Sequence, residues 1–445
     1  MKIISDLHIH SKYSRATSED MNIPSITRFA RIKGLNLVGT GDFTHPKWLE
    51  ELRELLIPIP EINLYKPAQT QEAPVYYMIT SEVSTIFEFR GQVKKIHHMI
   101  LVPNLEVAAQ VNDSLAKYGD LAVDGRPTLN LPAPELVDEV MSISMDNEII
   151  PSHAWTPWFS LFGAFSGFDS VDDCYQDMTR HIHAIETGLS SDPPLNWRLS
   201  SLDRFVLVSN SDSHSAWPWR IGREANIFEL EVPSYHGIID AIRKKDLKRF
   251  KCTIEVDPSY GKYHWTGHRN CNVSLPPAEA IKLGGRCPVC HRRLTKGVEQ
   301  RVEELADRPL GFKPEGVVPY LHLLPLSEVI AAVVGVDQPS NSKVWKVYNA
   351  LVERFGNEFT VLIDVPQEKL LEVVDPRVAE AVIRVREDRI KVIPGYDGVY
   401  GKLIIFPEEG ERGVAAGLGG EGETSEKRET VRREEARASR LDEFM

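Results

Sequence analysis

Asp6-Leu7-His8-Ile9-His10 closes an apolar run, Ile3-Ile4, that begins almost at the first residue. On an extended segment, residues i and i+2 point to the same face, so two histidines so spaced can grip one metal ion. The chain offers further ligand types in the same register: Asp42 and His45, Glu82, the adjacent His97 and His98, His153, Glu186, and Asp212 with His214. Mixed imidazole and carboxylate donors suit zinc or manganese at hydrolytic centres. Metals about 3.5–4 Å apart activate water and neutralise charge on a phosphoryl group, so no serine or cysteine nucleophile is required.

The elements that must position these groups share one phase. Apolar runs at 2–6, 35–41, 75–81, 96–102, 148–151, 184–186, 205–209 and 226–230 read as strands, and most of the ligand types lie at or just beyond their C-terminal ends. His97 and His98 are the exception, inside the fourth run. Helical patterns intervene, at 24–33 with Pro24 as a start and Gly34 as a stop, at 105–118 and at 134–145. Strand–helix alternation over residues 1–250 predicts an α/β barrel, whose chemistry belongs in the loops after the strands.

Past residue 250 the alternation stops. His268-x2-Cys271 and Cys287-x2-Cys290, 15 residues apart, are two knuckles able to close a Cys3His site around a structural zinc; Cys252, His264 and His291 compete with His268 for the fourth position. The same segment is basic (Lys262, Arg269, Lys282, Arg286, Arg292, Arg293, Lys296 and Arg301, opposed by Glu279 and Glu299) inside a chain of net charge −12. A local basic patch in an acidic protein fits a phosphate backbone. Residues 251–309 are therefore read as a zinc-binding DNA-contact module. Residues 310–406 form a C-terminal α+β unit, with helices at 326–334, 342–355 and 376–386 and strands at 359–363 and 403–406. Residues 407–445 are a Gly- and Glu-rich tail expected to be disordered.

Aromatic residues crowd the segment after His153: Trp155, Trp158, Phe159, Phe162, Phe165, Phe168 and Tyr175, with Trp217-Pro218-Trp219-Arg220 following the last ligand pair. Aromatics beside a metal centre can stack on an extruded base. Trp155, Trp158, Trp217, Trp219, Arg220, Arg269, Arg292 and Arg293 are accordingly the candidate substrate contacts.

The ordered series Asp6-Leu7-His8-Ile9-His10-Ser11, Gly41-Asp42-Phe43, Glu82, His98, Pro151-Ser152-His153 and Ser211-Asp212-Ser213-His214 resembles the polymerase-and-histidinol-phosphatase (PHP) phosphoesterases. The resemblance implies a distorted (β/α)7 barrel with two or three catalytic divalent metals, zinc, manganese or magnesium. It places His8, His10, Glu82 and Asp212 on one metal, and Glu82, His98 and His153 on a second, with His97 a one-residue alternative to His98. The third site departs from the pattern at Ala16 and Phe43, leaving His214 with Asp42 or His45. Asp212, His214, Glu82, His8 and His10 are the catalytic set, and Glu186 is expected to orient a histidine.

Together with Gly261-Lys262-Tyr263-His264, the two knuckles and Arg301-Val302-Glu303-Glu304-Leu305-Ala306, the series is similar to the endonuclease Q repair enzymes. That similarity implies hydrolysis of the phosphodiester 5′ to uracil, hypoxanthine, xanthine or an abasic site, leaving 3′-hydroxyl and 5′-phosphate ends. A histidinol-phosphatase-like small-molecule phosphatase is the alternative, and the zinc module and basic segment speak against it. The partner expected is damaged DNA. Leu441, Phe444 and Met445, with Ala438 where glutamine usually sits, have the apolar spacing of a sliding-clamp (PCNA) peptide. No run has the length of a membrane span, and histidines so near the start leave no room for a signal peptide, so a cytoplasmic protein is expected. Gly395 to Lys402 has the look of a phosphate loop but not its spacing, and Leu403 replaces the required Ser/Thr.

Overall fold

The computed structural model describes residues 1–69 and 75–407 and the backbone of 414–415. The clamp-type peptide at Leu441, Phe444 and Met445, and nearly all of the tail expected to be disordered, lie outside the described residues. No helix among them is long and apolar enough to cross a membrane.

The fold is α/β with a mixed sheet. In chain order its strands are β1 (Lys2–Asp6), β2 (Leu37–Gly39), β3 (Leu56–Ile59), β4 (Leu64–Pro67), β5 (Tyr76–Phe89), β6 (Gln92–Val102), β7 (Thr128–Leu129), β8 (Glu148–Pro151), β9 (Ala184–Glu186), β10 (Val206–Val208), β11 (Ala225–Glu229) and β12 (Phe250–Glu255). β1, β2 and β5 are parallel, whereas β11 lies antiparallel to β1, and β6 antiparallel to both β5 and β8. β9 and β10 form a separate parallel pair. Asn226 on β11 links that pair to the main sheet: its side-chain amide accepts from Ser209 N at 3.0 Å and donates to Ser209 O at 2.7 Å. One apolar cluster draws Ile3, Leu37, Met78, Met99, Ile150, Ala184, Val206 and Phe228 from eight of these strands.

The helices follow local rules. The helix Ile23–Lys33 starts where Asn22 caps Ser25 N and ends at Gly34, whose φ of 99° is the left-handed C-cap that glycine adopts without strain. Two expectations fail in instructive ways. The strand expected to end at residue 81 continues to Phe89, turns at Arg90 and Gly91, both with positive φ, and returns as β6. A two-residue turn with both φ positive matches the strand twist, so a long hairpin replaces a strand–helix–strand unit. The apolar run 359–363, expected as a strand, is a π-helical turn, Thr360–Asp364. A short apolar run does not distinguish buried helix from strand. Here Arg386 decides, donating to the carbonyls of Val361, Leu362 and Val365 at 2.7–2.9 Å.

Beyond β12 come the antiparallel pair β13 (Thr266–His268) and β14 (Val273–Leu275), then β15 (Tyr320–His322), which runs parallel to β12. The helices Leu326–Val334, Ser342–Phe355 and Pro376–Arg386 agree with the sequence reading, and β16 (Lys391–Ile393), β17 (Lys402–Ile404) and β18 (Val414–Ala415) form a small antiparallel sheet. Lys33 fastens this region to the first helix. Its ammonium, 1% exposed, donates to Glu358 Oε1 at 2.7 Å and Pro218 O at 2.9 Å, while Glu358 also accepts from Leu326 N and Tyr348 Oη. Lys33→Met leaves a buried carboxylate without its counter-charge and should cost about 3–5 kcal/mol. Chemical denaturation should show a lowered midpoint; an unchanged midpoint would contradict the latch.

Candidate metal centre

Glu82 stands in the middle of β5, where its side chain shares a face with Ser84. Across the hairpin Ser84 pairs with His97 and Val83 with His98. His97 therefore joins Glu82, and His98 points to the opposite face. The structure corrects the second ligand set accordingly. His97 Nδ1 lies 3.2 Å from Glu82 Oε1 and 3.2 Å from His153 Nε2, whereas His98 hydrogen-bonds Thr85 Oγ1 and Tyr175 Oη, each at 2.8 Å. Burial pushes the His98 pKa down to about 3, so it is a neutral core histidine.

Two donor groups meet at Glu82. His8, His10, Glu82 and Asp212 present one ligand atom each within 4.8 Å of one another, and Glu82, His97 and His153 do the same. His10 Nε2 is 3.0 Å from Asp212 Oδ1 and 3.4 Å from Glu82 Oε2; His8 Nε2 is 3.6 Å from Glu82 and 3.7 Å from Asp212, and has no hydrogen-bond partner although buried. A buried imidazole nitrogen left unsatisfied is what a metal ligand looks like without its ion, so the residues fit the group the sequence implies.

The outer nitrogens are fixed by carboxylates, as metal-binding imidazoles require. Glu186 lies 2.9 Å from His8 Nδ1, accepts from His153 N at 2.8 Å and from Asn210 Nδ2 at 2.8 Å, and so orients both groups. Asp42 lies 2.9 Å from His10 Nδ1. It is not placed as a ligand: its other oxygen accepts from Ser11 N, Ser11 Oγ and Ser14 Oγ at 2.6–2.9 Å. His45 also stands apart, stacked on Tyr13 and bonded to Ala122 O. His214 flanks the first group, its ring 4.4 Å from that of His10 and its Nδ1 on the Asp212 carbonyl. Burial opposes charge on His8 and His10, yet Glu186 and Glu82 beside the first, and Asp42 and Asp212 beside the second, hold both well above the ordinary imidazole value. Burial likewise opposes the Glu82 charge, and His97, His8 and Arg126 overcome it, holding the carboxyl well below its usual range. Arg126 escaped the sequence reading: its Nη1 is 3.2 Å from Glu82 Oε2, yet it belongs to no ligand motif. Asp42, His153 and Asp212 all have positive φ (49°, 30° and 47°).

The second cluster joins His268, Cys271, Cys287 and Cys290 within 4.8 Å. The competing ligands lie elsewhere: Cys252 on β12, His264 beside Glu299, and His291 exposed at the end of the knuckle. Burial raises the Cys287 thiol, but the backbone amides of Cys290 and Val289 aimed at it prevail and bring it to about 6. Only Val273, Cys287 and Leu294 form the core here, too few to hold a fold without a further tie.

The aromatic residues divide. Trp155 is 1% exposed, stacked on Phe162 and bonded to Asn196, so it is core and not a substrate contact. Trp217 and Trp219 stack on each other and pack against Trp345. Burial lowers the pKa of Arg220, whose neighbours include Arg223, Glu328 and Tyr260; the residue is half-buried. Trp158 and Phe165 remain outside, 43% and 38% exposed and stacked at 4.9 Å; Tyr263 meets Trp158 edge-on and Arg293 lies 5.9 Å over Phe165. Phe159 lies beside the centre, its ring 5.1 Å from that of His97. Arg269 and Arg292 are exposed on the knuckle module.

With this geometry in place, known proteins sharpen the assignment. The lesion-specific endonuclease PfuEndoQ from Pyrococcus furiosus is 34% identical, with a TM-score of 0.81 over 91% of this chain and 95% of that one. The chain belongs to the endonuclease Q family. An endonuclease Q complex with a 27-mer duplex bearing an abasic lesion at the active site aligns equally well, at 34% identity and a TM-score of 0.81 over 93% of this chain and 99% of the other. The Bacillus subtilis protein YqxK is 26% identical over 421 residues, 90% of this chain and 99% of its own. The Methanocaldococcus jannaschii protein MJ0043 is 35% identical over 263 residues, but this alignment spans only 32% of that longer relative. The family profile of the MJ0043 C-terminal domain matches residues 325–389.

His97→Ala should lose about one equivalent of bound manganese or zinc, counted by elemental analysis. His98→Ala should keep the full complement and lose about 1–3 kcal/mol of stability through unsatisfied Tyr175 and Thr85 hydroxyls. The reverse pattern would overturn the assignment. Protons on His8 and His10 must leave before a metal binds, and both are held well above the ordinary imidazole value, so manganese affinity should fall as the pH is lowered; chelator competition giving a flat profile would contradict this.

Proposed function

We propose that the protein hydrolyses the phosphodiester 5′ to a deaminated base or abasic site in DNA, leaving 3′-hydroxyl and 5′-phosphate ends. The observation that carries this is the juxtaposition of two donor groups sharing Glu82 with an exposed aromatic stack that ends on a basic Cys3His module. Divalent metals held by the two groups, zinc, manganese or magnesium, would supply an activated water and neutralise charge on the phosphoryl oxygens. The chain's own residues do the rest. Glu186 and Asp42 fix the His8 and His10 rings so that Nε2 faces the centre. Asp212 lies between His10 and His214, and Glu82 spans both groups.

Residues 1–250 are read as a distorted (β/α)7 barrel whose ring Asn226 completes, and 251–309 as a module built on one structural zinc at His268, Cys271, Cys287 and Cys290. Residues 310–406 then form a C-terminal α+β unit. The stacked faces of Trp158 and Phe165 are the platform for a base beside the cut, with Arg293, Arg292 and Arg269 on the flanking phosphates. A sliding clamp is the partner proposed for the terminal peptide at Leu441, Phe444 and Met445.

Duplexes containing uracil, hypoxanthine or an abasic site, incubated with manganese or magnesium, should be nicked 5′ to the lesion, and Asp212→Ala should abolish nicking. Phosphate release from histidinol phosphate without nicking would refute the reading. Trp158→Ala should weaken lesion-duplex affinity by about 5–150-fold, the value of one stacked base. Cys287→Ser should lose a metal equivalent that resists mild chelation, and DNA affinity with it; wild-type affinity in that variant would remove the module from substrate binding.

A further inference from the structure

Arg126 sits on the loop between the helix Leu105–Leu115 and β7, and the loop is pinned on both sides of it. Gly125 N donates to Tyr13 O at 3.0 Å, Gly125 O accepts from Thr44 Oγ1 at 3.2 Å, and Pro127 O accepts from Ser84 N at 2.9 Å. The guanidinium is thereby delivered to Glu82 Oε2, the same oxygen that His10 Nε2 approaches at 3.4 Å. Glu82 is wholly buried, whereas the Arg126 side chain is 27% exposed. Arg126 thus has its inner end on the carboxylate shared by both donor groups and its outer side open to solvent. The other carboxylates around the centre, Asp42, Glu186 and Asp212, are paired with histidines.

A permanent cation on a carboxylate that must also hold metal ions works against metal binding. The placement is productive only where an anion arrives with the metals. A guanidinium is planar, always charged, and matches the fork of a phosphate's non-bridging oxygens. Resting on the reading above, we propose that Arg126 is the anion clamp of this centre: when metals take up Glu82, its guanidinium transfers to a non-bridging oxygen of the scissile phosphate. It then touches the reacting group, and its charge is matched to the charge that grows there.

The test compares wild type, Arg126→Gln and Arg126→Lys in three measurements. Manganese binding without DNA, by chelator competition, should be as tight or tighter in Arg126→Gln, because a competing cation has gone. Single-turnover nicking of an abasic duplex at saturating manganese should fall about 10²–10³-fold in Arg126→Gln. Added methylguanidinium should restore part of it, and Arg126→Lys should keep only part of the rate, for want of the fork. Nicking by Arg126→Gln within about threefold of wild type overturns the clamp alone. So does weaker manganese binding whose rate defect vanishes on adding more manganese, since Arg126 would then merely position Glu82. Failure of the wild type itself to nick at the lesion overturns the substrate reading and the clamp with it.

Discussion

The structure turns on one buried carboxylate. Glu82 has no exposure, lies in the middle of a 14-residue strand, and faces His8, His10, His97, His153 and Arg126 at 3.1–3.6 Å. An ionised carboxyl so deep is tolerable only inside a ring of donors and cations. The long hairpin exists to supply that depth. Had β5 stopped where its apolar run weakens, Glu82 would have sat in a loop open to water, and His97 would have had no partner strand to bring it alongside. The antiparallel register fixes which face each residue occupies, and a slip of one residue would exchange His97 for His98.

Two of the ligands, His153 and Asp212, and the Asp42 that holds His10 reach the centre through strained backbone. Asp42, His153 and Asp212 each follow a strand, β2, β8 and β10 respectively, and each has a positive φ that a non-glycine residue adopts at a cost of about 1–3 kcal/mol. The turn throws the side chain back across the strand end, toward the centre, instead of along the strand. Gly41, just before Asp42, sits where an added Cβ would fall 2.2 Å from Ile9 O, so the segments carrying His10 and Asp42 touch backbone to backbone. That closeness puts Asp42 on His10 Nδ1. The sheet's two apolar faces hold these turns in place; a loop-borne site would relax.

Much of this was legible in residue types. His8, His10, Glu82, His153 and Asp212 stand in the first-read order, and the two knuckles converge as their spacing implies. What was not legible was orientation. The choice between His97 and His98 depends on pairing across the hairpin, and no spacing within one strand encodes its partner's register. Trp155 and Trp158 look alike in sequence, yet one fills the core beside Phe162 and the other stacks outside on Phe165. Arg126 carries no motif, because its role comes from a pinned loop that meets the centre only in three dimensions. The expected strand at 359–363 failed because Arg386, distant in sequence, satisfies the carbonyls of a helical turn.

The basic segment also divides in a way that charge counting misses. Arg301 turns inward, its guanidinium donating to Phe162 O and Phe168 O at 3.0 Å and pairing with Asp169. Lys296 pairs with Glu304 on the helix Val298–Leu305, and Lys262 lies over Tyr263 and Tyr400. Arg301 welds the knuckle module to the aromatic loop, whereas Lys296 is engaged within the module and Lys262 lies between it and the C-terminal region. Arg269, Lys282, Arg286, Arg292 and Arg293 are left facing outward. The weld has a mechanical consequence. His97, Phe159, Trp158, Phe165 and Arg293 form an unbroken run of contacts from the centre to the module. A duplex gripped by the module would therefore meet the centre at a fixed offset. In the proposed reaction that offset selects which phosphodiester is cut, and the metal ligands act on whichever phosphate it delivers.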